Sequence, residues 1–164
     1  MKMSEQPTVE SEIFVQAPPE RVWALVTDIV MMGQWSPEYR GGKWLDDASG
    51  PEVGAKFIGI NKRHERQWES VSTVVEVEPG QSFAWAVGDP SNAAATWRFD
   101  LIPEGDGTRV RQYARLGPGP SGLTHRIAEI PEKEEQIVAA RVDEHRRNME
   151  LTLRGLKTAV ERDP

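Results

Sequence analysis

Between residues 42 and 116 the sequence is a succession of short runs closed off by backbone-breaking residues, and one long amphipathic stretch follows. The breaks are Ser49-Gly50-Pro51, Pro79-Gly80, Asp89-Pro90-Ser91-Asn92 and Glu104-Gly105-Asp106-Gly107. They help separate runs near 42–46, 55–62, 67–78, 81–87, 94–102 and 108–116. Strands joined by short turns make an antiparallel meander with one buried and one solvated face. Past Leu116, Gly117-Pro118-Gly119-Pro120-Ser121-Gly122 cannot continue a strand, because proline removes a ladder donor. A short helix is expected at 123–129. From Pro131 to about Glu161, Val138, Val142, His145, Met149, Leu153, Leu156 and Val160 recur at three or four residues. Such a stripe has to lie on the apolar face of the sheet.

The segment ahead of the meander adds one strand and two short helices. Over 8–16, Val9, Ser11, Ile13 and Val15 alternate with Glu10 and Glu12, the period of a half-buried strand. Pro19 and Glu20 then open a helix, since proline loses no needed hydrogen bond in the first turn and the acid complements the helix dipole. Its apolar side is Val22, Trp23, Leu25 and Val26. A second helical stretch, about 29–34, leads into Trp35-Ser36-Pro37, where proline pushes the residue before it into extended geometry.

A chain of 164 residues is about the size of one domain, and no repeat or linker divides it. The expectation is a single domain over 1–164 with an ordered core at about 8–160 and a frayed tail at each end. The absence of cysteine excludes a disulfide-stapled module and thiolate chemistry. With a polar N-terminus and no apolar run near the ~20 residues of a membrane span, the chain reads as soluble and cytoplasmic. Its net charge of −6 opposes nucleic acid as a partner. Lys62-Arg63-His64 and the Arg109, Arg111 pair read as solvated clusters. His64, His125 and His145 form no metal-ligand spacing, and the glycine motifs of nucleotide sites and of serine hydrolases are missing, so no metal and no cofactor are expected.

Several stretches carry a resemblance. They are Ala17-Pro18-Pro19-Glu20-Arg21-Val22-Trp23 with Asp28, Trp35-Ser36-Pro37, and Val53-Gly54-Ala55-Lys56-Phe57 with Gly59 and Asn61. Further along are Val77-Glu78-Pro79-Gly80 with Phe83-Ala84-Trp85, then Trp97, Phe99 and Leu101 before a Gly-Asp-Gly-Thr hairpin, and Asn148-Met149 with Thr152-Leu153. In this order of elements they resemble bacterial members of the START, or polyketide cyclase/dehydrase-like (SRPBCC), superfamily. The resemblance implies an α+β helix-grip fold: a seven-stranded, curved antiparallel sheet around a long C-terminal helix, with two short helices after strand 1. Fold does not by itself imply function.

A curved sheet and a helix laid across it touch at one end and diverge at the other, which leaves a pocket. With the turns as phase markers, the inward residues are Phe57, Gly59, Asn61, Val71, Thr73, Val75, Val77, Phe83, Trp85, Val87, Trp97, Phe99, Leu101, Val110, Gln112 and Ala114. The candidate ligand-binding set is Phe57, Asn61, Thr73, Phe83, Trp85, Trp97, Phe99, Gln112, Arg141, His145 and Met149. Trp85, Trp97 and Phe99 either stack on a flat ligand or fill the gap. An inward amide such as Asn61 or Gln112 must bond to backbone, water or ligand. His145 is a candidate general acid or base, against a core or rim histidine. Arg141 is a candidate for a ligand carboxylate or enolate, against an ion pair with Glu144. The loop from Leu116 to Ile130 is either a gate or a plain connector.

Three functions follow. The first is binding of a small hydrophobic molecule, lipid-, aromatic- or polyketide-like, by a monomer or homodimer. The second is a cofactor-free polyketide cyclase or dehydratase with His145, Asn61 and Gln112 as catalytic candidates. The third is a co-chaperone-like interaction module that uses the outer sheet face.

Overall fold

A computed structural model describes residues 1–162. It places seven strands in one antiparallel sheet, β1 (Thr8–Val15), β2 (Tyr39–Trp44), β3 (Lys56–Arg63), β4 (Arg66–Glu78), β5 (Ser82–Val87), β6 (Ala95–Glu104) and β7 (Gly107–Leu116). Their order is β1-β7-β6-β5-β4-β3-β2, so only the first strand leaves sequence order, to pair with the last. Helix α1 (Pro19–Val26) follows β1, α2 (Gly122–Glu129) lies in the connector, and α3 (Glu134–Arg162) has 29 residues. The chain is the expected α+β helix-grip fold. Among the described residues no helix is long and apolar enough to cross a membrane.

The first of the two short helices forms as expected, with Pro19 in its first turn and Val22 and Val26 buried. The second is reduced to a 3-10 turn, Met31–Gln34. A 3-10 turn at Met3–Glu5 precedes β1, and Met3 is buried with Val9, Val138 and Val142. The N-terminal tail is therefore docked, and order begins ahead of residue 8. At the other end, the part of the expected frayed tail that falls on residues 163–164 lies outside the described residues.

Helix α3 buries the whole predicted stripe and Thr152 besides. At its C-terminal end Leu153, Leu156 and Val160 pack with Val15, Val22, Val26, Phe99, Leu101 and Val110. Arg21 of α1 donates to the Val160 carbonyl, one of the last four acceptors that a helix cannot satisfy itself. Lys157 Nζ donates to the Phe14 carbonyl at 2.9 Å, which ties the same end to β1. Gly155 lets Trp35 close in, since a Cβ there would lie 2.7 Å from the Trp35 Cβ. Within the connector, the Ser121 hydroxyl accepts from the Thr124 N–H at 3.1 Å and caps α2.

The inward phase holds along β3, β5, β6 and β7 but not along β4. The register pairs Phe57 with Ser72 and Gly59 with Ser70, and pairs Val74 with Trp85. Ser70, Ser72 and Val74 therefore share the inner face. Val71, Thr73 and Val75 point outward, with Val71 44% and Val75 40% exposed. The cause is a β-bulge between Val74 and Glu76. An extra residue there reverses the alternation, so Val77 faces inward opposite Phe83 while the residues two and four before it do not.

Candidate functional site

Between the middle of α3 and the sheet lies a cavity of about 120 Å³. β3 gives it Phe57 and Asn61, β4 gives Ser70 and Ser72, and β5 gives Phe83, Trp85 and Val87. Trp97 of β6 and Gln112 of β7 continue the floor, and His145, Asn148, Met149 and Thr152 of α3 form the roof. Val26, Ile29, Met32, Ser36, Glu38 and Tyr39 close one side. Trp85 and Trp97 stay partly exposed although they sit on the inner face, where they border the cavity.

An aromatic chain lines the floor. Phe57 meets Trp85 edge-on at 6.1 Å, Phe83 lies 5.2 Å from Trp85, and Trp97 meets the His145 imidazole edge-on at 5.2 Å. Tyr39 lies flat on β2 and β3 because Gly42 and Gly59 carry no side chain there. A Cβ at Gly59 would sit 2.8 Å from the Tyr39 ring, and one at Gly42 would sit 2.5 Å from its hydroxyl. The hydroxyl donates to the Ile29 carbonyl at 2.5 Å. Burial, and then Asp28 nearby, push its pKa up, so it stays protonated.

Two polar atoms of the cavity wall have no partner among the described residues: Gln112 Oε1 and His145 Nδ1 are fully buried and make no hydrogen bond. Burial, reinforced by the positive charge of Arg141, depresses the His145 pKa to about 3, so the imidazole is neutral throughout the physiological range. Asn61 is better provided for, its Nδ2 donating to Ser70 Oγ at 3.1 Å.

From the cavity wall an ion-pair chain runs to the surface. Arg141 donates to Glu38 at 2.6 Å and also to Glu144, whose carboxylate accepts from Arg63 Nε at 2.7 Å. Exposure rises from 14% at the Glu38 side chain to 44% at Arg63. Burial works against the Glu144 charge, but the hydrogen bond from Arg63 and the charge of Arg141 outweigh it and hold its pKa below the usual range.

Of the predicted residues, the fold brings together Phe57, Asn61, Phe83, Trp85, Trp97, Gln112, His145 and Met149 around this space. Three stand elsewhere. Thr73 is on the outer face for the reason given by the β4 bulge. Phe99 is 0% exposed in the packed end, where α3 is already in contact with the sheet. Arg141 is turned away to Glu38 and Glu144 and does not line the cavity. Sequence reasoning missed Tyr39, Glu38, Ser70 and Ser72. The serines were within reach, since counting back from a two-residue turn at His64-Glu65 pairs them with Gly59 and Phe57. The connector contributes no described residue to the cavity wall, and Gly117 and Gly119 donate to the Ala94 and Ala93 carbonyls at 2.9 and 3.1 Å. Its first residues are thus tied to the segment that leads into β6.

The outer face has a different character. Arg98 bridges Glu76 at 2.9 Å and Asp100 at 2.7 Å, and Arg111 lies 3.4 Å from Asp100 and from Glu10. Among the described residues no group of three His, Asp or Glu side chains converges to hold a metal ion.

Residues 6–161 match a family model described as polyketide cyclase / dehydrase and lipid transport. A polyketide cyclase-like protein of Corynebacterium glutamicum, solved by NMR, is 32% identical, with 94% of this chain and 91% of that one covered and a TM-score of 0.66. Two crystal structures share the fold at lower identity. A protein of Thermus thermophilus is 17% identical (94% and 97% covered, TM-score 0.65), and one of Mesorhizobium loti is 18% identical (96% and 99%, TM-score 0.67). No match is found among curated proteins. With a helix-grip sheet, a cavity under its long helix and a family match over nearly its whole length, this chain belongs to the polyketide cyclase / dehydrase and lipid transport family.

Proposed function

We propose that this protein binds a small, mainly apolar molecule of single-ring size between the sheet and α3. The observation that carries the reading is an aromatic-floored cavity that leaves Gln112 Oε1 and His145 Nδ1 buried without a protein partner. A buried polar group without a partner costs roughly 1–3 kcal/mol, so one in the floor and one in the roof of the same cavity mark a place where a guest supplies the missing bonds. The volume supports a small guest. An apolar cavity of roughly 150 Å³ takes up benzene, and about 120 Å³, open on one side, is of that scale. A fatty chain or a fused polyketide skeleton requires α3 to move away from the sheet.

Binding is favoured over cyclase or dehydratase chemistry by the state of the candidate groups. An imidazole that protonates only near pH 3 is a weak general base at neutrality, and Asn61 already commits one amide N–H to Ser70. The outer face, where a co-chaperone partner would dock, is occupied by ion pairs within the sheet.

The test is a titration with benzene at neutral pH, followed by the indole NMR resonances of Trp85 and Trp97. The expected result is saturable shifts confined to the cavity, with a Kd of roughly 1 mM, about 4 kcal/mol of binding. Shifts that grow linearly and spread over the surface would remove the ligand reading. Solvent extraction of the purified protein and mass spectrometry of the extract identify any natural guest directly.

A further inference from the structure

We propose that the cavity selects a neutral aromatic alcohol, a phenol, over both the bare ring and the corresponding carboxylate, and that Gln112 is the residue that reads the hydroxyl. This rests on the cavity being a ligand site and adds the hydrogen-bonding and charge character of its occupant.

Gln112 and His145 both neighbour Trp97. Gln112 pairs across the ladder with Phe99, and Trp97 pairs with Ala114, so Gln112 and Trp97 are diagonal neighbours on the inner face. Trp97 in turn holds the His145 ring edge-on at 5.2 Å. Gln112 and His145 are each only 6% exposed, so neither Gln112 Oε1 nor His145 Nδ1 is served by bulk water. An amide oxygen is an acceptor and needs a donor, which a bare ring lacks and an ionised carboxylate also lacks. A hydroxyl is donor and acceptor at once. Its O–H supplies the donor that Gln112 Oε1 lacks.

Charge points the same way. Among the described residues the cavity wall has no lysine or arginine, and its one formal charge is the carboxylate of Glu38. The nearest guanidinium, Arg141, is already shared between Glu38 and Glu144. A carboxylate guest would give up its hydration and meet no cation. A phenol is neutral at pH 7 and gives up little.

The experiment measures the affinities of benzene, phenol and benzoate at pH 7 for the unmodified protein and for Gln112→Met, by the same NMR titration. Phenol is expected to bind about tenfold tighter than benzene, the effect of one buried hydrogen bond, and benzoate more weakly than either. Gln112→Met should bring phenol to within about twofold of benzene, and an amide NMR spectrum with the dispersion of the unmodified protein shows that the variant is folded. Benzoate binding as well as phenol, or a phenol preference that survives Gln112→Met, overturns the assignment. Benzene binding without preference for phenol overturns the selectivity alone, whereas failure of all three compounds overturns the cavity reading with it. If Gln112→Met does not fold, the order of the three affinities in the unmodified protein decides.

Discussion

The C-terminal third of α3 and its middle lie over the same sheet, yet one is a dry contact and the other a wall of open space. At Leu153, Leu156 and Val160 the helix packs against the sheet, and α1 is wedged beside it with Val22 and Val26. At Asn148, Met149 and Thr152 it bounds the cavity across from Trp85 and Gln112, and the His145 ring reaches Trp97. The packed end holds apolar side chains whose burial is favourable. The open part holds polar atoms whose burial is not. Stability is concentrated where the helix touches, and the capacity to recognise a guest where it does not.

That contrast is breakable. The largest effect is expected from Leu156→Ala, at a side chain 1% exposed in the packed end, which should cost about 3 kcal/mol in urea denaturation. A cost below about 1 kcal/mol would mean that this end is not tightly packed. Next is Arg141→Met, which leaves the Glu38 carboxylate, at 14% exposure, without its partner on the cavity wall. About 2 kcal/mol of destabilisation is expected, read from the same transition.

The His145 imidazole sharpens the comparison through pH. Its folded pKa, about 3, lies below the ordinary value of 6.5, so the unfolded state binds a proton that the folded state refuses. The associated stability is present above pH 6.5 and is lost as pH falls toward 3. Between pH 6.5 and 5, above the range where carboxylates titrate, the unmodified protein should lose about 1.5 kcal/mol relative to His145→Gln. Equal slopes for the two proteins would place the imidazole in water. A smaller effect of opposite sign is expected from Gln112→Met, which removes an unsatisfied acceptor and should stabilise the empty protein by about 1 kcal/mol. Arg63→Ala, at the exposed end of the ion-pair chain, should cost about 0.5 kcal/mol and less at high salt.

Much of the site was legible because strand alternation is local. Phe57, Asn61, Phe83, Trp85, Trp97 and Gln112 each sit in a strand whose turns mark its phase, and His145 and Met149 fall on a regular helical stripe. Thr73 was misplaced because a bulge has no signature in a run of small and β-branched residues such as Ser72-Thr73-Val74-Val75. Phe99 was misjudged for another reason: its direction was read correctly, but depth along the sheet decides whether an inward residue meets the helix or the gap. Arg141 had Glu144 within helical reach, yet its partner Glu38 lies 103 residues away and only the folded chain brings it near.

By itself the sequence determined the succession of strands, the single long helix and the inner face of most strands, because turns, alternation and helical periodicity act between near neighbours. Only the tertiary structure decided where α3 leaves the sheet, how much space remains and which polar atoms stay unpaired in it. Those properties depend on the sum of side-chain volumes from seven strands and three helices, and no stretch of sequence carries that sum.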